Sequence, residues 1–314
     1  MAVVTRTDLE AALAELAAGV RNRAEGILGP SSVAWRLGGD LAVFLGGGRA
    51  ALLQLAHPMV AYAVDQHSAT RSDVVGRFQR TFRNVFAMVF GELDDALFAA
   101  RRVHQVHTRI TGTIPIDVGA WRAGTPYYAN DADALRWVHA TLMDTTIAVR
   151  ERLDGRLPTP IKDAYTVEMN RFARLFGIPT AMLPRNWAEH ASYMEATVPT
   201  LSVAPVAREM AAFLIGRASP AQPALGRVAE AMTVDLLPPR LAAEFGLRRS
   251  RWSAVGVSAA VRAFSPLYRQ LPSHVVAIPA RSAALRRIAG LPPSKRIAWA
   301  EDRLYALSSR VTGL

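Results

Sequence analysis

The feature that most constrains the fold is the spacing of apolar residues, which recur at steps of three and four along most of the chain. This spacing puts them on one face of an α-helix, which completes a turn about every 3.6 residues. It is clearest in residues 72–90, in 93–110, where it puts Ala99, Val103, Val106 and Ile110 on the buried arc, and in 131–153, where Asp131 is the expected cap. We also expect a first helix from a cap at Thr7 or Asp8 to about residue 29, and a loop over residues 111–130. Strict alternation, the pattern of a half-buried strand, is rare, and the helix formers Ala, Leu and Arg are abundant. The sequence therefore predicts an all-α fold.

The length of 314 residues allows one large hydrophobic core. We find no internal repeat and predict a single helical domain over residues 1–314, a large multi-helix bundle. Its last part, 251–314, is an Arg-rich helical C-terminal extension. The net charge is +11, and 35 of the 37 basic residues are arginine. No nucleic-acid-binding motif accompanies them, so we expect no nucleic-acid partner.

The longest apolar tract, residues 41–64, contains Arg49, Gln54, His57 and Pro58. A transmembrane helix needs about 20 almost uninterrupted apolar residues, so we predict instead a buried helix pair that breaks at Pro58. The three glycines at 46–48 lack the Gly-Lys-Ser/Thr ending of a phosphate loop, and favour close helix approach or a close-lying ligand. Because no secretory signal is evident at the N-terminus, we expect a cytoplasmic protein.

Several kinds of active site are excluded by residue types that are missing. The chain has no cysteine, which excludes thiolate metal sites, iron–sulfur clusters and a cysteine nucleophile. No Glu-x-x-His pair of a ferritin-like di-iron site is present, and neither is the G-x-S-x-G of an α/β-hydrolase.

The histidines of two successive helical stretches are the main functional signal. His104 and His107 lie in 93–110, and His139 lies in 131–153. On an ideal wheel His139 falls inside the apolar arc, His107 at the edge of its arc, and His104 about 60° farther out. A buried imidazole is costly unless something binds it. The partner is either another core residue or a metal.

Two metal cofactors suit these histidines. Zinc could take all three, but no general-base carboxylate accompanies them. Haem needs an apolar slot between helices, one imidazole for the iron and arginines for the propionates. Haem fits the residues better, and the candidate arginines are Arg49, Arg77, Arg80 and Arg102.

Five segments resemble one known family when they are taken together. They are GGGRAALLQLAHPMVAYAVDQHS, RFQRTFRNVFAMVFGE, RRVHQVHTRITG, YYANDADALRWVHATLMDT and LLPPRLAAEFGL. They look like the bacterial branch of the rubber oxygenases (latex-clearing proteins) and the ER-bound oxygenase of mycophenolic acid biosynthesis. The likeness covers about residues 35–250.

The resemblance implies an all-α fold that holds haem b and cleaves an alkene of an isoprenoid chain with dioxygen. The Arg-x-x-Lys-Thr pattern of the family's rubber oxygenases is matched by Arg77 and Thr81, and is changed at Arg80. The family's iron ligand corresponds best to His107, while His139 aligns with a second family histidine. His104 is the fallback ligand. The helical wheel alone favours His139, so the two approaches disagree, and we follow the family spacing.

One departure bears on the substrate. Rubber oxygenases have a glutamate base ahead of the Arg-x-x-Lys-Thr helix, but this chain has no glutamate between Gly29 and Gly91. The candidate bases are Asp65, His57 and His67. A smaller apolar substrate is therefore expected in place of polyisoprene.

The sequence as a whole predicts a haem b-dependent oxygenase, an oxidoreductase, that acts with dioxygen on an apolar, alkene-bearing small molecule of isoprenoid or lipid type. Two alternatives stay open: a non-catalytic haem carrier or sensor, and a haem-free helical protein that binds a lipid or a partner. Peripheral membrane contact by the C-terminal extension also stays open.

Overall fold

A computed structural model describes residues 2–67, 74–214, 224–247 and 251–311. Within these ranges the chain forms sixteen α-helices and one small antiparallel sheet, which confirms the all-α prediction. No helix in the same ranges is long and apolar enough to cross a membrane. The helices are α1 (Arg6–Ala18), α2 (Val33–Gly38), α3 (Gly47–Leu55), α4 (Pro58–His67), α5 (Val74–Phe90), α6 (Leu93–His107), α7 (Ala132–Asp154), α8 (Thr159–Arg174), α9 (Trp187–Thr197), α10 (Pro205–Leu214), α11 (Ala224–Leu236), α12 (Pro239–Glu244), α13 (Arg251–Gln270), α14 (Ser273–Val276), α15 (Pro279–Ile288) and α16 (Lys295–Val311).

Helix boundaries follow local capping signals. Asp131 caps α7 as predicted, with its carboxylate accepting from the backbone of Asp133 and Ala134. α1 begins slightly earlier than expected, at a capping box between Thr5 and Asp8. It also ends at Ala18, whereas the sequence predicted a helix to about residue 29. A separate 3₁₀ turn (Arg23–Glu25) follows α1. It ends at Gly26, whose positive φ of 72° does not fit an α-helix.

The apolar tract of residues 41–64 forms a 3₁₀ turn (Leu41–Gly46), α3 and α4, and the two α-helices break just before Pro58 as predicted. A Cβ atom on Gly46 would lie 2.4 Å from Thr145 Cγ2, and one on Gly48 would lie 2.2 Å from Thr233 Oγ1. These glycines therefore allow α3 and the turn before it to approach α7 and α11 closely.

A loop was expected over residues 111–130, and most of it is irregular. It also contains two three-residue strands, β1 (Thr111–Thr113) and β2 (Pro126–Tyr128), which pair with Thr111 opposite Tyr128. Strands this short show no alternation of apolar and polar residues, so the sequence pattern could not reveal them.

The core is organised around α7, which contributes to three apolar clusters. Met143 and Ile147 belong to a cluster shared with α1, α5, α6 and α8. Trp137 belongs to a second cluster, with α3, α4 and the β1–β2 segment, and donates through its indole N–H to the Leu53 carbonyl at 3.0 Å. Val149 belongs to a third cluster, with α11 and α13. Polar side chains on α7 are consequently held deep inside the protein.

Candidate functional site

The first part of the candidate site is the helical hairpin of α5 and α6, which are joined by only two residues and pack against each other. The Arg102 guanidinium donates to Asn84 Oδ1 at 2.8 Å, so these two positions lie side by side across the hairpin. Residue 107, at the end of α6, is therefore level with residues 77–81 near the start of α5. Arg77 and Arg80 lie on α5, and the structure describes their backbone but not their side chains. Thr81 is exposed.

The buried face of α6 agrees in part with the arc that the helical wheel predicts. Ala99 is buried and Val103 is half-buried, but Val106 is 54% exposed. The buried face also extends to Ala96 and Ala100. Residues at three- and four-residue steps continue this face to His104 and His107, which are both half-buried.

His104 already has a structural role. Its Nε2 lies 3.0 Å from the Val4 carbonyl oxygen, and its own carbonyl accepts from the Asn130 amide at 3.2 Å. It thereby joins the N-terminal segment to α6. Binding iron through this Nε2 would require His104 to give up the contact with Val4.

The second part of the site is His139, near the middle of the buried face of α7. It is only 3% exposed, and its ring stacks on Phe172 of α8 with centroids 6.1 Å apart. Neither ring nitrogen has a hydrogen-bond partner among the described residues. Burial, and then the neighbouring His190, lower the pKa of His139 to about 3. The imidazole is therefore neutral at pH 7, as an iron ligand must be.

A buried ion pair lies close to His139. The Arg49 guanidinium contacts Asp144 Oδ2 at 2.5 Å and donates to Thr145 Oγ1 at 2.7 Å and to the Leu236 carbonyl at 2.8 Å. The sequence suggested Arg49 as a propionate contact. All three guanidinium nitrogens instead have protein acceptors, so Arg49 would have to exchange one of these bonds to bind a propionate.

His190 of α9 completes this group, which we call the α7 polar cluster (Arg49, Asp144, Thr145 and His190). His190 is 1% exposed, and its Nε2 lies 3.6 Å from Asp144 Oδ1. That distance is too long for a hydrogen bond, and the contact is an ion pair only when His190 is protonated. Burial raises the pKa of Asp144, but His190 and Arg49 outweigh burial and bring it below its ordinary value.

Sequence reasoning missed Asp144 and His190. One signal could have revealed the carboxylate, since Arg49 is the only charged residue between Asp40 and Asp65 in a strongly apolar tract. A cation buried in such a tract requires an acidic partner. The sequence does not show which acid it is, because the pair joins helices separated by about 95 residues.

The three predicted bases lie on or beside α4. The His57 ring is 5.3 Å from Trp121, and burial lowers its pKa to about 4. His67 lies on the surface with its Nε2 2.8 Å from the Thr111 carbonyl oxygen of β1, and Asp65 is half-buried. In the described part of the chain, no hydrogen bond, ion pair or ring contact joins these residues to His139.

The described ranges contain no group of three His, Asp or Glu side chains that could hold a metal ion. The three-histidine zinc site suggested by the sequence is therefore not formed. Haem requires fewer protein ligands than such a zinc site, because one imidazole and an apolar surface are enough to hold it. Phe44, Phe82, Val103 and Leu142 are half-buried around the same core cluster that contains Phe172, the ring against His139. They supply apolar surface of the kind that a haem contacts in addition to its axial histidine.

Comparison with known protein families gives one match. The sequence family described as the ER-bound oxygenase mpaB/B′ and rubber oxygenase catalytic domain matches residues 35–270, from α2 to the end of α13. No curated protein and no solved structure matches the chain. The matched region is about three quarters of the chain, and it includes both histidine-bearing helices. The protein therefore belongs to the ER-bound oxygenase mpaB/B′ and rubber oxygenase catalytic-domain family, and is an oxidoreductase that uses dioxygen and a second substrate.

Proposed function

We propose that the protein is a haem b-dependent oxygenase that acts on an apolar, alkene-bearing small molecule of isoprenoid or lipid type. The observation that carries the proposal is the register of the α5–α6 hairpin. It makes His107 level with Arg77, Arg80 and Thr81, the residues that correspond to the family's Arg-x-x-Lys-Thr pattern.

His107 is our proposed iron ligand, because it continues the buried face of α6 at the level of these α5 residues. The bound haem would supply the redox chemistry that activates dioxygen. We assign Arg77, Arg80 and Thr81 to the side of the site where dioxygen binds. Arg102, which already orients Asn84, is the proposed cation for a propionate at the exposed edge.

His139 is the alternative ligand, and its burial supports it. A neutral imidazole with two unpartnered ring nitrogens is destabilising in an apolar core, and a ligand would remove that cost. If His107 binds the iron, His139 remains available to donate or accept a hydrogen bond at the substrate. In either role the stack on Phe172 fixes the plane of the ring.

The proposed substrate class rests on the apolar, half-buried residues packed against the core and on the missing glutamate base. Phe44, Phe82, Val103 and Leu142 offer apolar contacts but no hydrogen bonds, which suits a hydrocarbon chain. Asp144 is a largely buried carboxylate on the same helix as His139, and Arg49 and His190 stabilise its ionised form. A carboxylate held this way is a weak base, so abstraction of a proton from polyisoprene is not favoured.

Oxygen consumption tests this function. Haem-loaded protein is mixed with short isoprenoids, and with their saturated analogues as matched controls. We expect oxygen uptake and a cleaved or oxygenated product only with the alkenes. Haem binding without oxygen uptake for any alkene would identify a carrier or sensor, and failure to bind haem would leave a haem-free helical module.

A further inference from the structure

The last turn of α6 is joined by hydrogen bonds to two other segments of the chain. The His104 Nε2 lies 3.0 Å from the Val4 carbonyl oxygen. Because a carbonyl oxygen only accepts hydrogen bonds, this ring nitrogen carries the proton and donates it. The Val4 amide donates to the Asn130 carbonyl at 2.8 Å, and the Asn130 side-chain amide donates to the His104 carbonyl at 3.2 Å. These three hydrogen bonds form a closed circuit, which we call the Val4–His104–Asn130 ring.

The two partners of His104 in this ring are themselves anchored in the core. Val4 is 5% exposed, and it packs so closely on Gly177 that a Cβ atom there would clash with its side chain. The Ala132 amide, in the first turn of α7, donates to the Ala2 carbonyl at 2.8 Å. Asn130 is also 5% exposed and directly precedes the residue that caps α7. The ring therefore ties the end of α6 to two segments with fixed positions.

His107 is the last residue of α6, so its position depends on how the helix ends. Helix ends fray, because their final carbonyl groups have no partner within the helix. In α6 the His104 carbonyl accepts from the Thr108 amide at 2.9 Å as well as from Asn130. The Asn130 side-chain amide also donates to Thr108 Oγ1 at 3.2 Å. These bonds hold the backbone on both sides of His107.

We propose that His104 and Asn130 are positioning residues for His107, and that docking of residues 2–4 and binding of haem at His107 stabilise each other. The inference rests on the proposed function, because it takes His107 as the iron ligand. A ligand that is already ordered loses less conformational entropy when it binds, so the ring makes haem binding tighter. Coupling of this kind is reciprocal, and bound haem therefore holds residues 2–4 more firmly on the core.

Hydrogen exchange of the full-length protein, with and without added haem, tests the reciprocal coupling. Mass spectrometry follows the peptides that contain Val4 and Ala132, whose amides bond within or beside the ring. Haem should slow the exchange of both peptides in the wild type. It should also slow it in His104→Gln, whose side-chain amide can donate to the Val4 carbonyl, but not in His104→Leu, which has no donor.

The rate at which haem leaves the protein for an excess of apomyoglobin tests the positioning role. His104→Leu and Asn130→Ala should each speed haem loss by about three- to tenfold, the effect of one neutral hydrogen bond. His104→Gln should stay within about twofold of the wild type. Arg101→Met is the matched control, because it breaks a neighbouring contact of α6 with Glu10 of α1 outside the ring. It should leave the rate of haem loss unchanged.

Circular dichroism checks that each variant keeps its helices, and at saturating haem the Soret band should remain in all of them. A wild type that binds haem through His107, and loses it no more slowly than His104→Leu does, would overturn the positioning role and leave the proposed function standing. Equal acceleration by Arg101→Met would also overturn it, since any loosening of α6 would then have the same effect. A wild type that binds no haem would contradict the proposed function and this inference together.

Discussion

Acidification should destabilise the protein by an amount that can be worked out for His139. The pKa of this buried imidazole is about 3 in the folded protein and near 6.5 in the unfolded chain. Between these values the unfolded state binds a proton that the folded state does not. The free energy of unfolding therefore falls as the pH falls through 6.5 toward 3. For this shift, lowering the pH from 7 to 5 removes about 2 kcal/mol.

The measurement is urea unfolding of the haem-free protein at pH 5, 6 and 7, in the wild type and in His139→Phe. Phenylalanine keeps an aromatic ring against Phe172 but cannot be protonated. We expect the variant to lose about 2 kcal/mol less than the wild type between pH 7 and pH 5. His57, whose pKa is about 4 when folded, should destabilise both proteins equally at low pH.

Phe172→Leu is the control, because it disturbs the same contact without removing a titratable group. It should lower stability at every pH and leave the pH dependence as in the wild type. Identical pH dependence in His139→Phe and the wild type would refute a buried, neutral His139.

Two further predictions concern packing and charge, and urea unfolding measures both. Gly48→Ala should destabilise by about 1–3 kcal/mol, because its Cβ would meet Thr233, whereas Gly47→Ala has no atom within 4 Å and should be neutral or slightly stabilising. Equal effects at the two glycines would contradict the close contact of α3 with α11. Arg49→Met should lower the free energy of unfolding by about 3–5 kcal/mol, because it leaves the Asp144 carboxylate buried without its cation. Arg101→Met breaks an exposed pair with Glu10 and should lower it by less than about 1 kcal/mol. An Arg49 variant no less stable than the Arg101 variant would show that the buried pair contributes little.

Much of the fold could be predicted from the sequence because its signals are local. The cap at Asp131, the break at Pro58 and the periodic apolar residues of α5 and α7 each depend on a few neighbouring residues. The buried face of α6 was predicted in part: Ala99 is buried and Val103 and Ile110 are half-buried, but Val106 is exposed and the face extends to Ala96 and Ala100.

The candidate site was harder to predict because it depends on contacts between distant helices. The sequence pointed to His139 as buried, and the structure places it in the core. Asp144 and His190 were missed, since their roles appear only when α3, α7 and α9 pack together. The predicted bases His57, Asp65 and His67 lie in one stretch of sequence, but they belong to the surroundings of α4 and β1 rather than to those of His139.

The most direct test is the absorption spectrum of purified protein after haem has been added. We predict a Soret band in the wild type, its loss or a marked shift in His107→Ala, and its retention in His104→Ala, because His104 is already bonded to the N-terminal segment. His139→Ala should keep iron ligation by His107. A wild type without a Soret band would contradict haem binding, and a band that survives in His107→Ala but disappears in His139→Ala would show that His139 holds the iron.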